Sequence, residues 1–280
     1  MRVRVGPAGW SYKDWTGPVY PSPKSSKFDE LAFLAGLFDT IEVNSSFYRI
    51  PPASHSKSWL KRSAHNEDFL FTAKLFKGFT HEKKAFDEGD VNAFRAFLDP
   101  LYEAQKLGAL LIQFPWSFKE GGGDAIPFLH DLFASFAPYP KVLEVRHGSF
   151  QNNDFLHFLE DEGVGFVNID QPIFGDSVRP SDAVTAPRSY VRFHGRNYGK
   201  WFAHEESWER YDYLYPPSEL KPWVKRVENM SEKSEVFVIM NNHFRGQAVV
   251  NSIEVMQSLG KTVEIPPQLA AAYPGRMKGA

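Results

Sequence analysis

Eight short apolar runs, most of them followed by a loop and an amphipathic helical stretch, constrain this chain more than any other feature. The runs lie at 3–6, 40–44, 69–74, 110–114, 142–146, 165–170, 190–194 and 236–241. They are rich in Val, Ile, Leu and Phe, as strands buried on both faces are. Between them, segments at 26–37, 54–63, 90–106, 124–136, 153–162, 217–230 and 245–259 space their apolar residues helically. Ser54, Asp90, Asp124 and Asn153 stand at helix starts as capping residues. Strands that alternate with helices build a parallel sheet, and eight is the count that closes a barrel. The rival architecture is a doubly wound open sheet, which carries a glycine-rich phosphate loop after its first strand. Gly6-Pro7-Ala8-Gly9-Trp10 does not fit that fingerprint, because Pro7 interrupts it and no helix follows directly. The expected fold is α/β: a single (β/α)8 TIM-type barrel with parallel strands and long βα loops, one domain over 1–280.

Composition narrows the function classes. The chain has 32 Lys+Arg against 34 Asp+Glu, which argues against a generally basic nucleic-acid binder but leaves room for a local basic pocket. Cysteine is absent, so thiolate metal sites, disulfides and cysteine nucleophiles are excluded. The first residues read as a strand without an apolar leader, and no run reaches the length of a membrane span. A cytoplasmic protein with no membrane association is expected. Loops at 9–25, 171–188 and 195–215 are long, and no helix is evident before the seventh strand. On a barrel, such βα loops build the ligand site.

Polar residues gather at the C-terminal strand ends. The second strand has Glu42 and Asn44, two apart and so on one face; the third ends at Lys74 and the fourth at Gln113. The fifth carries Glu144 and Arg146, the sixth ends at Asp170, the seventh carries Arg192 and His194, and the eighth ends at Asn241 and Asn242. A single Glu–Arg pair would read as a buried structural contact. Polar groups at the same end of seven strands read as a pocket, since each desolvated charge is costly. Glu42, Asn44, Lys74, Gln113, Glu144, Arg146, Asp170, Arg192, His194 and Asn241 are expected to line it.

The chain also resembles the YecE-like family, known as domain of unknown function 72. The resemblance runs through Gly9-Trp10-Ser11-Tyr12 with Trp15 and Gly17, Glu42-Val43-Asn44-Ser45-Ser46-Phe47-Tyr48, Ala73-Lys74 with Thr80-His81, and Gln113-Phe114-Pro115. It continues through Glu144-Val145-Arg146-His147, Asp170, Arg192-Phe193-His194-Gly195-Arg196, and Asn241-Asn242 with Gly246 and Ala248. It implies a TIM-type barrel and brings no reaction. A suggested relationship to endonuclease IV-like barrels is a fold-level analogy.

Four chemistries fit the residues. The favoured one is a binder or enzyme for a small anionic ligand, phosphorylated or carboxylated, with no obligatory cofactor. Lys74, Arg146, Arg192, His194 and Arg196 supply positive charge; Glu42, Glu144 and Asp170 orient them and offer a general base for hydrolase or lyase/isomerase chemistry. Lys74 is an amine nucleophile if desolvation lowers its pKa, but an ion pair with Glu42 is favoured over a Schiff base. The second is a metal-assisted hydrolase or nuclease, with a divalent Mn or Mg ion on Glu144, Asp170 and His194. The third is glycoside hydrolysis by Glu42 and Glu144. The fourth is a non-catalytic nucleic-acid module in which Trp10, Tyr12, Trp15, Phe47, Tyr48 and Trp116 stack bases beside Arg49, though packing of the loops accounts for at least half of these rings.

Of the histidines, His81 and His147 lie beside the site as ligand contacts, while His55, His65, His130 and His157 read as surface residues. Lys77, Lys83 and Lys84 read as a solvated loop, Gly121-Gly122-Gly123 as a short turn, and the tail at 278–280 as frayed.

Overall fold

The computed structural model describes residues 2–82, 87–121, 124–206 and 208–277. Lys83, Lys84, Gly122, Gly123 and the tail at 278–280 lie outside the described residues. The eight apolar runs become strands β1 (Val3–Pro7), β2 (Thr40–Val43), β3 (Leu70–Lys74), β4 (Leu107–Gln113), β5 (Lys141–Glu144), β6 (Gly165–Asp170), β7 (Arg188–Phe193) and β8 (Glu235–Met240). They pair in parallel in the order β1-β8-β7-β6-β5-β4-β3-β2. The ring closes where Ala8 bridges Glu42 and the Gly9 amide donates to the Glu42 carbonyl at 2.8 Å. Glycine is required at that seam, because a Cβ on Gly6 would sit 1.8 Å from the Thr40 carbonyl oxygen. The α/β (β/α)8 barrel expected from the alternation is therefore the fold.

The helices are α1 (Glu30–Ala35), α2 (Ala53–Arg62), α3 (Glu88–Glu103), α4 (Ala125–Ser135), α5 (Asn153–Asp161), α6 (Pro217–Ser231), α7 (Gln247–Ser258) and α8 (Pro267–Ala272). Several ends differ from expectation. α1 is shorter than 26–37, since the extended Asp29 caps it by accepting from the Ala32 amide and stops the helix growing backward. Asp87 rather than Asp90 caps α3, and Asn152 rather than Asn153 caps α5. Adjacent Asp and Asn residues compete for the same free amides, and local φ/ψ decides between them. Ser54 lies inside α2, whose start is set by Pro52, and Asp124 flanks α4 without a side-chain cap bond. α8, six residues behind Pro266 and Pro267, carries too little periodicity to be read beforehand.

Among the described residues no helix separates β6 from β7, as expected. Nor, among them, is any helix long and apolar enough to cross a membrane.

The core has an outer shell between strands and helices and an inner one within the barrel. Trp223 of α6, with Phe193 and Tyr215, typifies the outer shell. Inside, β7 sends every second residue to the axis, from floor to mouth: Arg188, Tyr190, Arg192 and then His194 just past its end. At the floor Arg188 donates to the Leu107 and Gly108 carbonyls at 3.1 and 2.6 Å. Above it the Tyr190 ring stacks on Phe237 at 6.1 Å. A Cβ on Gly108 would come within 2.6 Å of the Phe237 ring, so the glycine makes room for it. Arg192 and His194 stand above this apolar layer.

Candidate functional site at the barrel mouth

Arg192 is the central strut. It donates from Nε and Nη2 to the two Glu42 oxygens at 2.9 and 2.6 Å, and from Nη1 to Glu144 Oε2 at 3.1 Å. Its Nη1 also lies 3.4 Å from Gln113 Oε1. Tyr190 donates to Glu42 Oε2 at 2.9 Å, and its hydroxyl shares a 2.8 Å bond with Thr72. Glu42 and Glu144 are fully buried and Arg192 is 1% exposed, so this layer is closed to water. Burial by itself would lower the Arg192 pKa, but Glu42 and Glu144 more than reverse it and raise it above the ordinary value. The guanidinium is a permanent cation locked between two carboxylates.

A second layer faces the mouth. Arg146 Nε lies 2.7 Å from Glu144 Oε1, off ideal hydrogen-bond direction, and Arg146 Nη1 donates to Gln171 at 2.5 Å. The fully buried His194 ring has Nε2 at 3.1 Å from Glu144 Oε1 and also 3.1 Å from Arg146 Nη2, and Nδ1 at 3.2 Å from Asn241 Nδ2, so the neutral tautomer that fits donates Nε2–H to Glu144 and accepts from Asn241 on Nδ1. Asn44 reaches the other end of Asn241, at 3.3 Å. Burial, then the Arg146 charge, pushes His194 down to about 3 against a smaller opposing pull from Glu144, so its imidazole is neutral at ordinary pH. Burial pushes Glu144 up, but Arg146, His194 and Arg192 overcome it and hold the carboxyl well below the usual range.

Lys74 departs from the expected ion pair. Among the described residues no carboxylate lies at ion-pair distance from Nζ; Glu42 is engaged by Arg192 and Tyr190 instead. The Lys74 ammonium sits 3.8 Å from the centre of the Phe47 ring, with the residue 8% exposed. Burial lowers its pKa first and Arg192 second, while Glu144 and Glu42 oppose them, leaving it at about 7. His81 stands on the same Phe47 ring, edge to face at 4.9 Å, and is lowered to about 4 by burial and then by Lys74.

The expected lining thus converges for Glu42, Asn44, Lys74, Gln113, Glu144, Arg146, Arg192, His194 and Asn241. Asp170 and Arg196 are placed elsewhere. Asp170 accepts from Tyr215 at 2.7 Å, from Trp223 Nε1 at 2.7 Å and from Arg196 at 2.8 and 2.6 Å. Its carboxylate points out toward α6, the opposite face of β6 from the pocket, and its acceptor positions are filled. The parity of one strand decides this, and a residue at a strand end does not reveal its parity in sequence.

The metal set Glu144, Asp170 and His194 is therefore not brought together. Among the described residues no three His, Asp or Glu side chains group as metal ligands. The Glu42 and Glu144 pair considered for glycoside hydrolysis is bridged by Arg192, and neither carboxylate meets solvent.

The loop aromatics divide. Trp15 is buried and donates to the His243 carbonyl at 2.6 Å, and Trp10 packs edge-on against Trp59 at 5.3 Å. Tyr12 donates to the Ala8 carbonyl at 2.8 Å and stacks on His243. Tyr48 and Trp116 are exposed on the rim, at 72% and 47%. His147 turns inward to cap a helical turn through Ser149 at 3.1 Å, and His55, His65, His130 and His157 are exposed as expected.

Tyr190, Thr72 and Gln171 escaped the sequence reading. Tyr190 had a signal, since it stands two residues before Arg192 on the same strand face. Thr72 stands likewise two before Lys74.

A family model described as "Protein of unknown function DUF72" matches residues 4–274. The chain belongs to the DUF72 family. A relative, the UPF0759 protein YunF of Bacillus subtilis, is 29% identical over 273 residues, covering 92% of this chain and 94% of that one. The crystal structure of a DUF72 protein of Thermotoga maritima superposes with a TM-score of 0.81 at 34% identity, covering 93% of this chain and all of that one. Another, from Enterococcus faecalis, gives 0.80 at 28% identity, with 95% and 99% covered. The DUF72 assignment and the barrel agree with the resemblance in the strand-end motifs, and the family description names no reaction.

Proposed function

We propose that this DUF72 barrel binds a small anionic ligand, carboxylate or phosphate, at its C-terminal mouth. One observation carries the reading: the charges of the site are sorted by depth. Both carboxylates, Glu42 and Glu144, are fully buried behind Arg192, while the charged groups of the site with some access to water are cations. The Lys74 residue is 8% exposed and the Arg146 side chain 14%. An arriving ligand therefore meets two cations and neutral donors before any negative charge, and enclosure by protein strengthens that attraction. Arg146 and Lys74 hold the anion, with Asn44, Gln113 and Asn241 as hydrogen-bonding groups around it. The recessed cations suit a single anionic group better than a polynucleotide backbone, which needs a charged track along the surface.

Two structural differences refine the roles assigned from sequence. Arg192 orients the carboxylates instead of touching the ligand, and Glu144 and Asp170, the general-base candidates, are both committed to neighbouring donors.

The test is thermal unfolding with inorganic phosphate or a small dicarboxylate, against chloride at matched ionic strength. The expected result is a saturable rise in melting temperature that Arg146→Gln abolishes while circular dichroism shows an intact fold. A shift that never saturates, or that survives Arg146→Gln unchanged, defeats the reading.

A further inference from the structure

The Lys74 amine stands out because the anion site does not require its peculiar setting. A lysine that only attracts an anion is best left solvated and fully charged. This one is buried at the end of β3, with its Nζ against the face of Phe47 and no carboxylate at ion-pair distance among the described residues. The two nearby carboxylates are committed to Arg192 and Arg146. The site therefore holds three basic side chains against two acids, and the surplus charge falls on Lys74, the one cation of the three able to lose its proton near neutrality.

We infer that Lys74 is an amine nucleophile that forms an imine with the carbonyl carbon of a small anionic aldehyde or 2-oxo acid. The inference rests on the anion-binding reading above, since Arg146 holds the carboxylate or phosphate that brings the carbonyl to Nζ. The neutral amine lone pair bonds to the carbonyl carbon, and the π electrons move to oxygen, which takes a proton and gives a carbinolamine. Nitrogen, which gave its first proton to that oxygen, passes its second to the hydroxyl, which leaves as water, and a C=N bond replaces C=O; amine plus carbonyl yields imine plus water. No oxidant or metal enters that balance. The Arg146 charge reaches Lys74, and in this step it would also stabilise the negative charge developing on oxygen. A desolvated lysine beside other cations is a recognised way to keep an amine unprotonated. Burial and Arg192 lower this one to about 7, whereas the Phe47 ring face pulls modestly the other way.

The experiment uses the full chain at pH 7 with glyoxylate or pyruvate and sodium cyanoborohydride, followed by intact-mass and peptide analysis. At that pH an ordinary lysine is unprotonated on the order of one part in a thousand. The expected result is one reduced adduct per chain, at Lys74, forming at least tenfold faster than at any other lysine and slowed by inorganic phosphate. Lys74→Arg and Lys74→Met remove that adduct. A phosphate-dependent melting shift with no preferential labelling of Lys74 overturns the nucleophile and leaves the anion site standing. Labelling of Lys74 that is equally fast with a neutral aldehyde and indifferent to phosphate overturns the anionic substrate class. Failure of both labelling and melting shift overturns both readings.

Discussion

Arg192 on β7 grips Glu42 on β2 across the barrel interior, with parallel hydrogen bonds of 2.9 and 2.6 Å and both side chains sealed from water. The pair acts as a brace between two walls that are not neighbours in the sheet, and Glu144 on β5 ties in a third. Removing the guanidinium leaves Glu42 buried without a cation and Glu144 with Arg146 alone. Arg192→Ala is expected to destabilise the protein by about 3–5 kcal/mol. Lysine should restore only part of this, because an ammonium cannot make the two-pronged contact. Urea unfolding of the two variants checks it; a loss below about 1 kcal/mol for alanine would show that the brace is not closed to water.

Lys74 has the opposite expectation. Its folded-state pKa, about 7, lies below the ordinary 10.5, so the unfolded chain binds this proton more tightly. Stability from this group therefore rises as pH increases from about 7 toward 10.5, and its penalty is complete below 7. Lys74→Met fills the same space and keeps a contact with Phe47 through sulfur. The variant should be more stable at pH 6 by on the order of 1–3 kcal/mol, with a flatter stability profile above pH 7. Denaturant titrations at pH 6, 8 and 10 measure both.

His194 governs the acid side. It stays neutral in the fold down to about 3, whereas the free side chain takes up a proton at 6.5. Between those values the unfolded state binds more protons, so stability falls as pH drops through the window, by up to about 1.4 kcal/mol per pH unit. His194→Gln should reduce that slope between pH 6 and 4. An unchanged slope would mean that the imidazole already carries a proton in the fold.

Asp170 tests the line between scaffold and site. Its contacts with Tyr215, Trp223 and Arg196 place it among the groups that fasten α6 and the preceding loop to β6. Asp170→Ala is expected to cost about 3 kcal/mol or more of stability, since it strands a buried hydroxyl and indole N–H. The fraction that remains folded should respond to phosphate as the parent does. Loss of that response with an undiminished melting temperature would return Asp170 to the pocket.

Much of the candidate site could be read in the chain itself. Glu42 with Asn44, Glu144 with Arg146, and Arg192 with His194 are each two residues apart, and that spacing puts each pair on one face of its strand. What spacing leaves open is which face. For Asp170, alone at the end of its strand, the choice fell outward, where the α6 indole was waiting. Lys74 departs from its expected ion pair for a different reason. Its nearest carboxylate by strand order, Glu42, is claimed across the barrel by Arg192, a competition between residues 150 apart in sequence.

Sequence alone determined the alternation, the strand count and hence the closed parallel barrel, because strand and helix periods are local properties of side-chain spacing. It also determined that polar groups meet at the C-terminal ends of the strands. Only the tertiary structure decided which charges neutralise each other, that Lys74 has no carboxylate at ion-pair distance among the described residues, and which rings stay exposed. Those outcomes depend on distances across the barrel and on burial, and neither is encoded in any one stretch of chain.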